Sequence, residues 1–316
     1  MKIAILDGAT LGDDLSLAPI DELGSCRVYQ NTAPAEVAER IQDVHVIISN
    51  KIKLTRDVLV GAKALKLICA AATGFDNIDV AYCKERGIAV CNVVGYSSHS
   101  VAQLTVATVL SLSVHLQAYC AYVESGAYSA SGIANKLTPV YHELHGKTWG
   151  LVGYGNIAKE VAAVAEALGC RILVHKKTPV ADCECVSMDE LCQRADIITV
   201  HTPLNEGTRG LISRERLAMM KPDAILVNTA RGAVVDEEAV SEAVLCGKLG
   251  AFGSDVYSVE PFLEGHPFHK IKNLPNVCLT PHMAWGSYES RNRCISEIAA
   301  NIRAFERGEK RNRVDL

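Results

Sequence analysis

Lys147-Thr148-Trp149-Gly150-Leu151-Val152-Gly153-Tyr154-Gly155-Asn156-Ile157-Ala158 decides how this chain folds. Leu151-Val152 is strand-like. Ile157-Ala158-Lys159-Glu160-Val161-Ala162 carries the apolar stripe of a helix. Between them, Gly153 permits a tight bend and Gly155 lets backbone approach a pyrophosphate. Ala158 is small enough for close helix–strand packing. Asn156 and Ile157 open the helix, whose unpaired N–H groups and dipole suit phosphates. G-x-G-x-x-A alone recurs by chance, so a merely structural strand–helix turn is the alternative; its placement after a strand favours dinucleotide binding.

Outward from this motif the chain alternates strands and helices in both directions. Upstream, Lys2–Leu6, Arg27–Gln30, Val44–Ser49, Leu65–Ala70 and Ile88–Val93 read as strands. Pro34–Gln42 and Asp79–Arg86 read as amphipathic helices. Downstream, helix Ile157–Leu168, strand Arg171–His175, helix Met188–Arg194, strand Ile197–His201, helix Arg214–Met219 and strand Ile225–Asn228 follow in turn. Helix Glu237–Cys246, strands Gly250–Val256 and Val277–Thr280, and a closing helix from about Ser287 to Glu306 complete the series. Such alternation implies an α/β protein of two doubly wound parallel-sheet units, with ligands at the carboxyl ends of the strands. Between the units lie a helix over Val101–Val123 and an irregular polar stretch, Ser125–His145.

The 316 residues are enough for two ordinary domains. A net charge of −4 and a pI near 6.2 give no reason to expect nucleic acid or an anionic membrane as partner. Met1–Gly8 reads as a strand and lacks the pattern of a signal peptide. The twelve cysteines are scattered, mostly in apolar runs; Cys183 and Cys185 form one C-x-C without a second pair at zinc spacing. No structural metal is expected, and reduced cytoplasmic thiols are. No Lys, Arg, Asp or Glu lies between Arg86 and Glu124, so Val101–Val123 is long enough to span a bilayer. Gln103, Thr105, Thr108, Ser111, Ser113, His115 and Gln117 would be costly there. A helix buried at a domain or subunit interface, and hence a homodimer, is the expectation.

Three residues in the last third carry chemistry: Arg231 in Asn228-Thr229-Ala230-Arg231-Gly232, Glu260 in Asp255-Val256-Tyr257-Ser258-Val259-Glu260-Pro261, and His282 after Thr280-Pro281. Singly, each reads as a surface cation, a loop carboxylate or a core histidine. Together, a guanidinium, a carboxylate and an imidazole at strand ends are what gripping a 2-oxo acid and protonating its carbonyl requires. At the end of the strand after the glycine motif an acid would bind the ribose hydroxyls of NAD. Val174-His175-Lys176-Lys177 stands there instead. Cations at this place favour a 2′-phosphate, and so NADP over NAD, unless Lys176 and Lys177 are solvated surface charges.

Over nearly its whole length the chain resembles the D-isomer-specific 2-hydroxyacid dehydrogenases. Matching segments are Asn50-Lys51, Ala72–Asp79, Tyr96–Gln103, Leu144–Thr148, the glycine motif, His201-Thr202-Pro203-Leu204 and the three catalytic segments. Tyr-Ser-x-x-Ser-Val-Ala-Gln and Pro-His-x-Ala-Trp are similar to the glycerate dehydrogenase (hydroxypyruvate reductase) branch. The resemblance implies a flavodoxin-like substrate domain, residues 1–100 plus 286–316, with a Rossmann-type nucleotide domain, 101–285, inserted in it. It implies that His282 is the general acid, Glu260 its partner, and Arg231 the group polarising the carbonyl and holding the carboxylate. Lys51 and the N–H groups around Thr73 and Gly74 fall on the carboxylate's other side. Thr202, Pro203, Thr229 and Ala230 fall along the coenzyme, Asp255 at the nicotinamide carboxamide, and Phe75 and Trp285 around the side-chain pocket. Lys176 departs from the family's frequent Asp, Ala158 from a commoner Gly, and Gly126–Asn135 is rich in small residues where relatives are bulkier. The implied reaction is reduction of hydroxypyruvate or glyoxylate. Phosphoglycerate oxidation and a dinucleotide-sensing, co-repressor-like role are the alternatives.

Overall fold

The computed structural model describes all residues, 1–316, and the chain divides into two compact units. Unit 1 comprises Met1–Ser97 and Gly286–Leu316. Its elements run β1 (Lys2–Ile5), α1 (Ala18–Asp21), β2 (Ser25–Val28), α2 (Val37–Arg40), β3 (Val46–Ser49), α3 (Arg56–Leu59), β4 (Leu67–Ala70), α4 (Val80–Glu85) and β5 (Ala89–Cys91). The five strands are parallel in the order β2-β1-β3-β4-β5, the doubly wound flavodoxin order. β3 and β4 are buried at every position, as central strands covered on both faces must be. The chain's last long helix packs on β4 and closes this unit.

Unit 2 comprises Ser98–Trp285. It begins with α5 (Ser98–Ser113), α6 (Leu116–Glu124) and α7 (Ala127–Ser131). There follow β6 (Thr148–Val152), α8 (Asn156–Ala167), β7 (Arg171–His175), β8 (Glu184–Cys185), α9 (Met188–Arg194) and β9 (Ile197–Val200). The rest is α10 (Arg214–Met219), β10 (Ile225–Asn228), α11 (Glu237–Leu245), β11 (Ala251–Ser254) and β12 (Val277–Leu279). Unit 1's closing helix is α12 (Tyr288–Glu306). The second sheet is also wholly parallel, ordered β12-β11-β10-β9-β6-β7-β8, the Rossmann order with one further strand. The expected pair of doubly wound sheets is what the chain forms. α8 shows why the pattern was readable: Ala158, Val161, Ala162 and Ala165 are buried at i, i+3, i+4 and i+7. Side-chain caps start α9 (Ser187), α10 (Ser213) and α11 (Asp236) by accepting the third residue's N–H.

The continuous helix expected over Val101–Val123 is instead two, bent by 64°. His115 between them sits in the left-handed region at φ +52, which ends the hydrogen-bond ladder of α5. Neither glycine nor proline marks the break in Ser113-Val114-His115-Leu116. No single helix is long and apolar enough to cross a membrane. α5 lies against β10, β11 and α8, and several of its polar groups bond to protein. The Ser100 hydroxyl donates to the Ala284 carbonyl at 2.6 Å, and that of Thr105 to Val101 at 2.8 Å. The stretch expected to be irregular, Ser125–His145, contains the short helix α7, and the two-residue edge strand β8 lay outside the expected elements.

Candidate active site

The strand order of unit 2 collects the motif residues at one edge. β6 runs into Gly153–Ile157, β7 into Lys176, β9 into Thr202-Pro203, β10 into Thr229–Arg231, β11 into Asp255, and β12 into His282. All strands are parallel, so every one of these positions follows a carboxyl end.

The glycine turn has the geometry a pyrophosphate needs. Gly153 lies at φ +93, and a side chain there would meet the His201 carbonyl oxygen at 2.8 Å, so only glycine fits. A side chain at Gly155 would meet no protein atom within 4 Å. The turn thus leaves open space directly before the N-terminus of α8, a fit for a dinucleotide phosphate. Lys176 and Lys177 are exposed just past β7. The Tyr154 hydroxyl is pushed up to about 12, first by its hydrogen bond to Cys183 and then by burial.

Arg231, Glu260 and His282 come from three successive strand exits, those of β10, β11 and β12. His282 Nδ1 lies 2.6 Å from Glu260 Oε2, and the two side chains are 23% and 28% exposed, so the pair is accessible to a small molecule. His282 itself is left-handed at φ +51, an unusual conformation for a residue with a Cβ. Asp255 holds this turn. Its Oδ1 accepts the Thr280 hydroxyl at 2.6 Å and the Met283 N–H at 2.9 Å, while Oδ2 accepts the Ala284 N–H at 2.8 Å. Burial nevertheless raises the Asp255 pKa above the usual range. The Trp285 indole closes the turn by donating to the His282 carbonyl at 3.0 Å. Glu260 Oε1 accepts the Tyr257 N–H at 3.0 Å, leaving Oε2 for the imidazole.

Arg231 follows β10 and is shaped by Asn228, whose side chain accepts the Ala230 N–H at 3.1 Å and donates to the Arg231 carbonyl at 2.9 Å. Gly232 then lies flat on the next loop. A Cβ there would fall 2.0 Å from the Tyr257 carbonyl carbon and 2.2 Å from the Ser258 nitrogen. The arginine segment and the glutamate loop are thus in direct backbone contact.

In unit 1, Lys51 follows β3 and Thr73-Gly74 follow β4, its neighbour in the sheet. The buried Asp7 carboxylate fixes the first turn by accepting the Asn50 N–H at 3.0 Å and the Lys51 N–H at 2.6 Å. The Asn77 amide fixes it from the other side, donating to Ile52 at 2.7 Å. Asn92 donates to the Thr73 carbonyl at 2.8 Å. Phe75 packs against the hydrophobic core of this unit. The role of Asp7 was not visible in the sequence, because its partners lie 43 and 44 residues away and it sits in none of the family-like segments. Asn77, Asn228 and Asp255 do lie in such segments, but the turns their side chains hold leave no mark there.

Residues 106–284 match the NAD binding domain of the D-isomer specific 2-hydroxyacid dehydrogenases. The hydroxypyruvate reductase of Blautia hydrogenotrophica is 33% identical over the full length of both chains. The glycerate dehydrogenase of Methylorubrum extorquens is 33% identical over 99% of each. Among solved structures, the D-lactate dehydrogenase of Aquifex aeolicus complexed with NAD and lactic acid superposes with a TM-score of 0.88 at 29% identity. That comparison covers 100% of this chain and 99% of the other. With two doubly wound sheets and a histidine–glutamate pair at the strand exits of the second, this chain belongs to the D-isomer specific 2-hydroxyacid dehydrogenases.

Proposed function

We propose that this enzyme reduces a small 2-oxo acid, hydroxypyruvate or glyoxylate first, to the D-hydroxy acid. The observation that carries the reading is the 2.6 Å contact between His282 and Glu260. A carboxylate that close orients the imidazole, the group that would give its proton to a carbonyl oxygen. Arg231 holds the substrate carboxylate and polarises the carbonyl, a task for which its planar fork suits better than an ammonium. Lys51 and the N–H groups of Thr73 and Gly74 are assigned to the carboxylate as well.

The coenzyme, when bound, supplies the hydride. Gly153, Gly155, Asn156 and Ile157 would receive its pyrophosphate, Thr202, Pro203, Thr229 and Ala230 would line its path, and Asp255 would contact the carboxamide. Lys176 would lie by the adenosine ribose and favour NADPH. Exposed charges are screened by salt, so the preference is modest, about tenfold to thirtyfold. A panel of glyoxylate, hydroxypyruvate, pyruvate and phosphohydroxypyruvate, assayed with NADH and NADPH, tests the reading; failure to reduce any of them refutes it. Lys176→Asp should reverse the coenzyme ratio by adding repulsion. An unchanged ratio would make Lys176 a solvated surface charge.

We also infer a homodimer in the cytoplasm. Ala102, Val106, Leu110 and Val164 line an apolar groove between α5 and α8, and Leu116, Val123, Leu137 and Val140 are exposed on the segment that follows. Apolar surface of this extent suits a second copy of the chain. Sedimentation showing only monomer at micromolar concentration would refute it. All twelve cysteines are free, in keeping with a reducing compartment.

A further inference from the structure

We propose that Glu237 is a positioning residue for the proton-transfer pair. It clamps the loop that carries Glu260 at two points, one on either side of that residue. The inference rests on the reading of Glu260 and His282 given above and adds the device that fixes their geometry.

The loop between β11 and β12 is exposed from Ser258 through Gly265 except at Phe262, with Val259 62% and Leu263 73% exposed. A segment with so little buried surface does not hold a carboxylate to hydrogen-bonding precision by packing alone. Besides the Tyr257 N–H on Glu260 Oε1, its restraint comes from the first residue of α11. One oxygen of the Glu237 carboxylate accepts the Ser258 N–H at 2.8 Å. The other accepts the Ser258 hydroxyl and lies 3.0 Å from His266 Nε2. Glu260 stands between Ser258 and His266.

The histidine end of the clamp has a fixed sense. His266 Nδ1 accepts the Phe268 N–H at 3.2 Å, so the ring proton sits on Nε2 and points at Glu237. The ring packs among Tyr257, Phe262 and Phe268, whose centroids lie 5.0–6.0 Å away. All three donors therefore converge on one carboxylate, and no amide can replace it without turning an acceptor into a donor.

An acidic residue in the first turn of a helix is ordinarily explained by the helix dipole. α11 contains its own comparison. Glu238, one position on, is exposed and meets only Lys270, at 3.2 Å on the surface. Glu237 is 9% exposed and reaches residues 21 and 29 positions away. Helix initiation needs neither that burial nor those partners, and Asp236 already caps the helix by accepting the Ala239 N–H.

The clamp predicts a specific pattern. Removing it loosens the loop that sets Glu260 against His282, and the rate of 2-oxo acid reduction falls through loss of correctly oriented pairs. We expect Glu237→Gln to lower kcat about tenfold to a hundredfold, the scale of an ångström-level misplacement, with the coenzyme KM unchanged. The pH at which the reductive rate declines should move down, in the direction of Glu260→Gln. In the Glu237→Gln/Glu260→Gln double variant the two losses should not add, because Glu237 acts only through Glu260. Ser258→Ala removes one contact without burying a mismatched donor, and so covers the case in which Glu237→Gln fails to fold; it should show a smaller shift of the same sign. Additive losses in the double variant, or a lower kcat with an unmoved pH limb in both single variants, would overturn the proposal. Failure of the underlying reading is seen separately, as a Glu260→Gln enzyme whose own pH limb does not move.

Discussion

Gly232→Ala adds one methyl group at the point where the arginine segment touches the glutamate loop. That methyl carbon would lie 2.0 Å from the Tyr257 carbonyl carbon, 2.2 Å from the Ser258 nitrogen and 2.5 Å from the Tyr257 Cα, all backbone atoms. Ordinary contact begins near 3.4 Å, so one of the two segments must retreat by about 1.4 Å, the difference between 3.4 and 2.0. If the glutamate loop moves, the Tyr257 N–H that holds Glu260 Oε1 moves with it; if the other segment moves, Arg231 does. An ångström of misplacement at a reacting centre costs about a hundredfold in rate, or about 2.7 kcal/mol of transition-state stabilisation. Overpacking of this kind lowers stability by about 1–3 kcal/mol, which for a unit of this size is a fall in Tm of about 2–12 °C. The assay is kcat/KM for the preferred 2-oxo acid at 25 °C, with a circular dichroism melt to show that the variant is folded. Gly155→Ala is the matched comparison: the same methyl group meets no protein atom within 4 Å. It should leave Tm unchanged and raise the coenzyme KM. A Gly232→Ala enzyme within threefold of wild-type kcat/KM would refute the reasoning, because the loops would then have absorbed the displacement without effect on the site.

Glu260→Gln keeps the shape of the side chain beside His282 and removes its charge. Reduction, which needs the protonated ring, should lose rate at a lower pH than in the wild type, and oxidation should gain rate over the same lower range; pH profiles of kcat/KM in both directions check this. His201 gives a prediction about stability. Burial holds its pKa down at about 3 against an ordinary 6.5, so the unfolded chain takes up a proton that the folded chain refuses. Its contribution is complete above about pH 6.5 and is lost as pH falls toward 3, at up to about 1.4 kcal/mol per pH unit. In His201→Asn, unfolding free energy measured by urea titration should lose that part of its slope; an identical slope in both proteins would show that His201 is protonated in the folded state.

How much of this was readable from the sequence depended on the range of the interactions involved. α8 and the buried strands announce themselves through local periodicity, and the glycine turn through residues that only one backbone geometry requires. Arg231 and His282 stood out as candidates because each closely follows an apolar strand, and Glu260 because it lies in the Asp255–Pro261 segment that resembles the family. The break at His115 was not, since a left-handed histidine arises from the packing around it and leaves no local mark. The two-residue strand β8 is too short for any period to show. Asp7 and Glu237 were missed for another reason: a carboxylate whose partners lie 21 to 44 residues away looks, in sequence, like any surface acid.

The segment 228–237 shows what that loss conceals. Asn228 shapes the turn that presents Arg231. Gly232 receives the backbone of Tyr257-Ser258, and Glu237 grips Ser258 and His266 on either side of Glu260. The three groups that read as separate motifs are thus mechanically linked through one strand exit. Asp255, at the next strand exit, fixes the His282 turn through Thr280, Met283 and Ala284. On the reading of Glu260 and His282 as the proton-transfer pair, Glu237 touches neither substrate nor coenzyme and acts on that pair. Its substitution should therefore be read in the pH dependence of turnover rather than in ligand affinity.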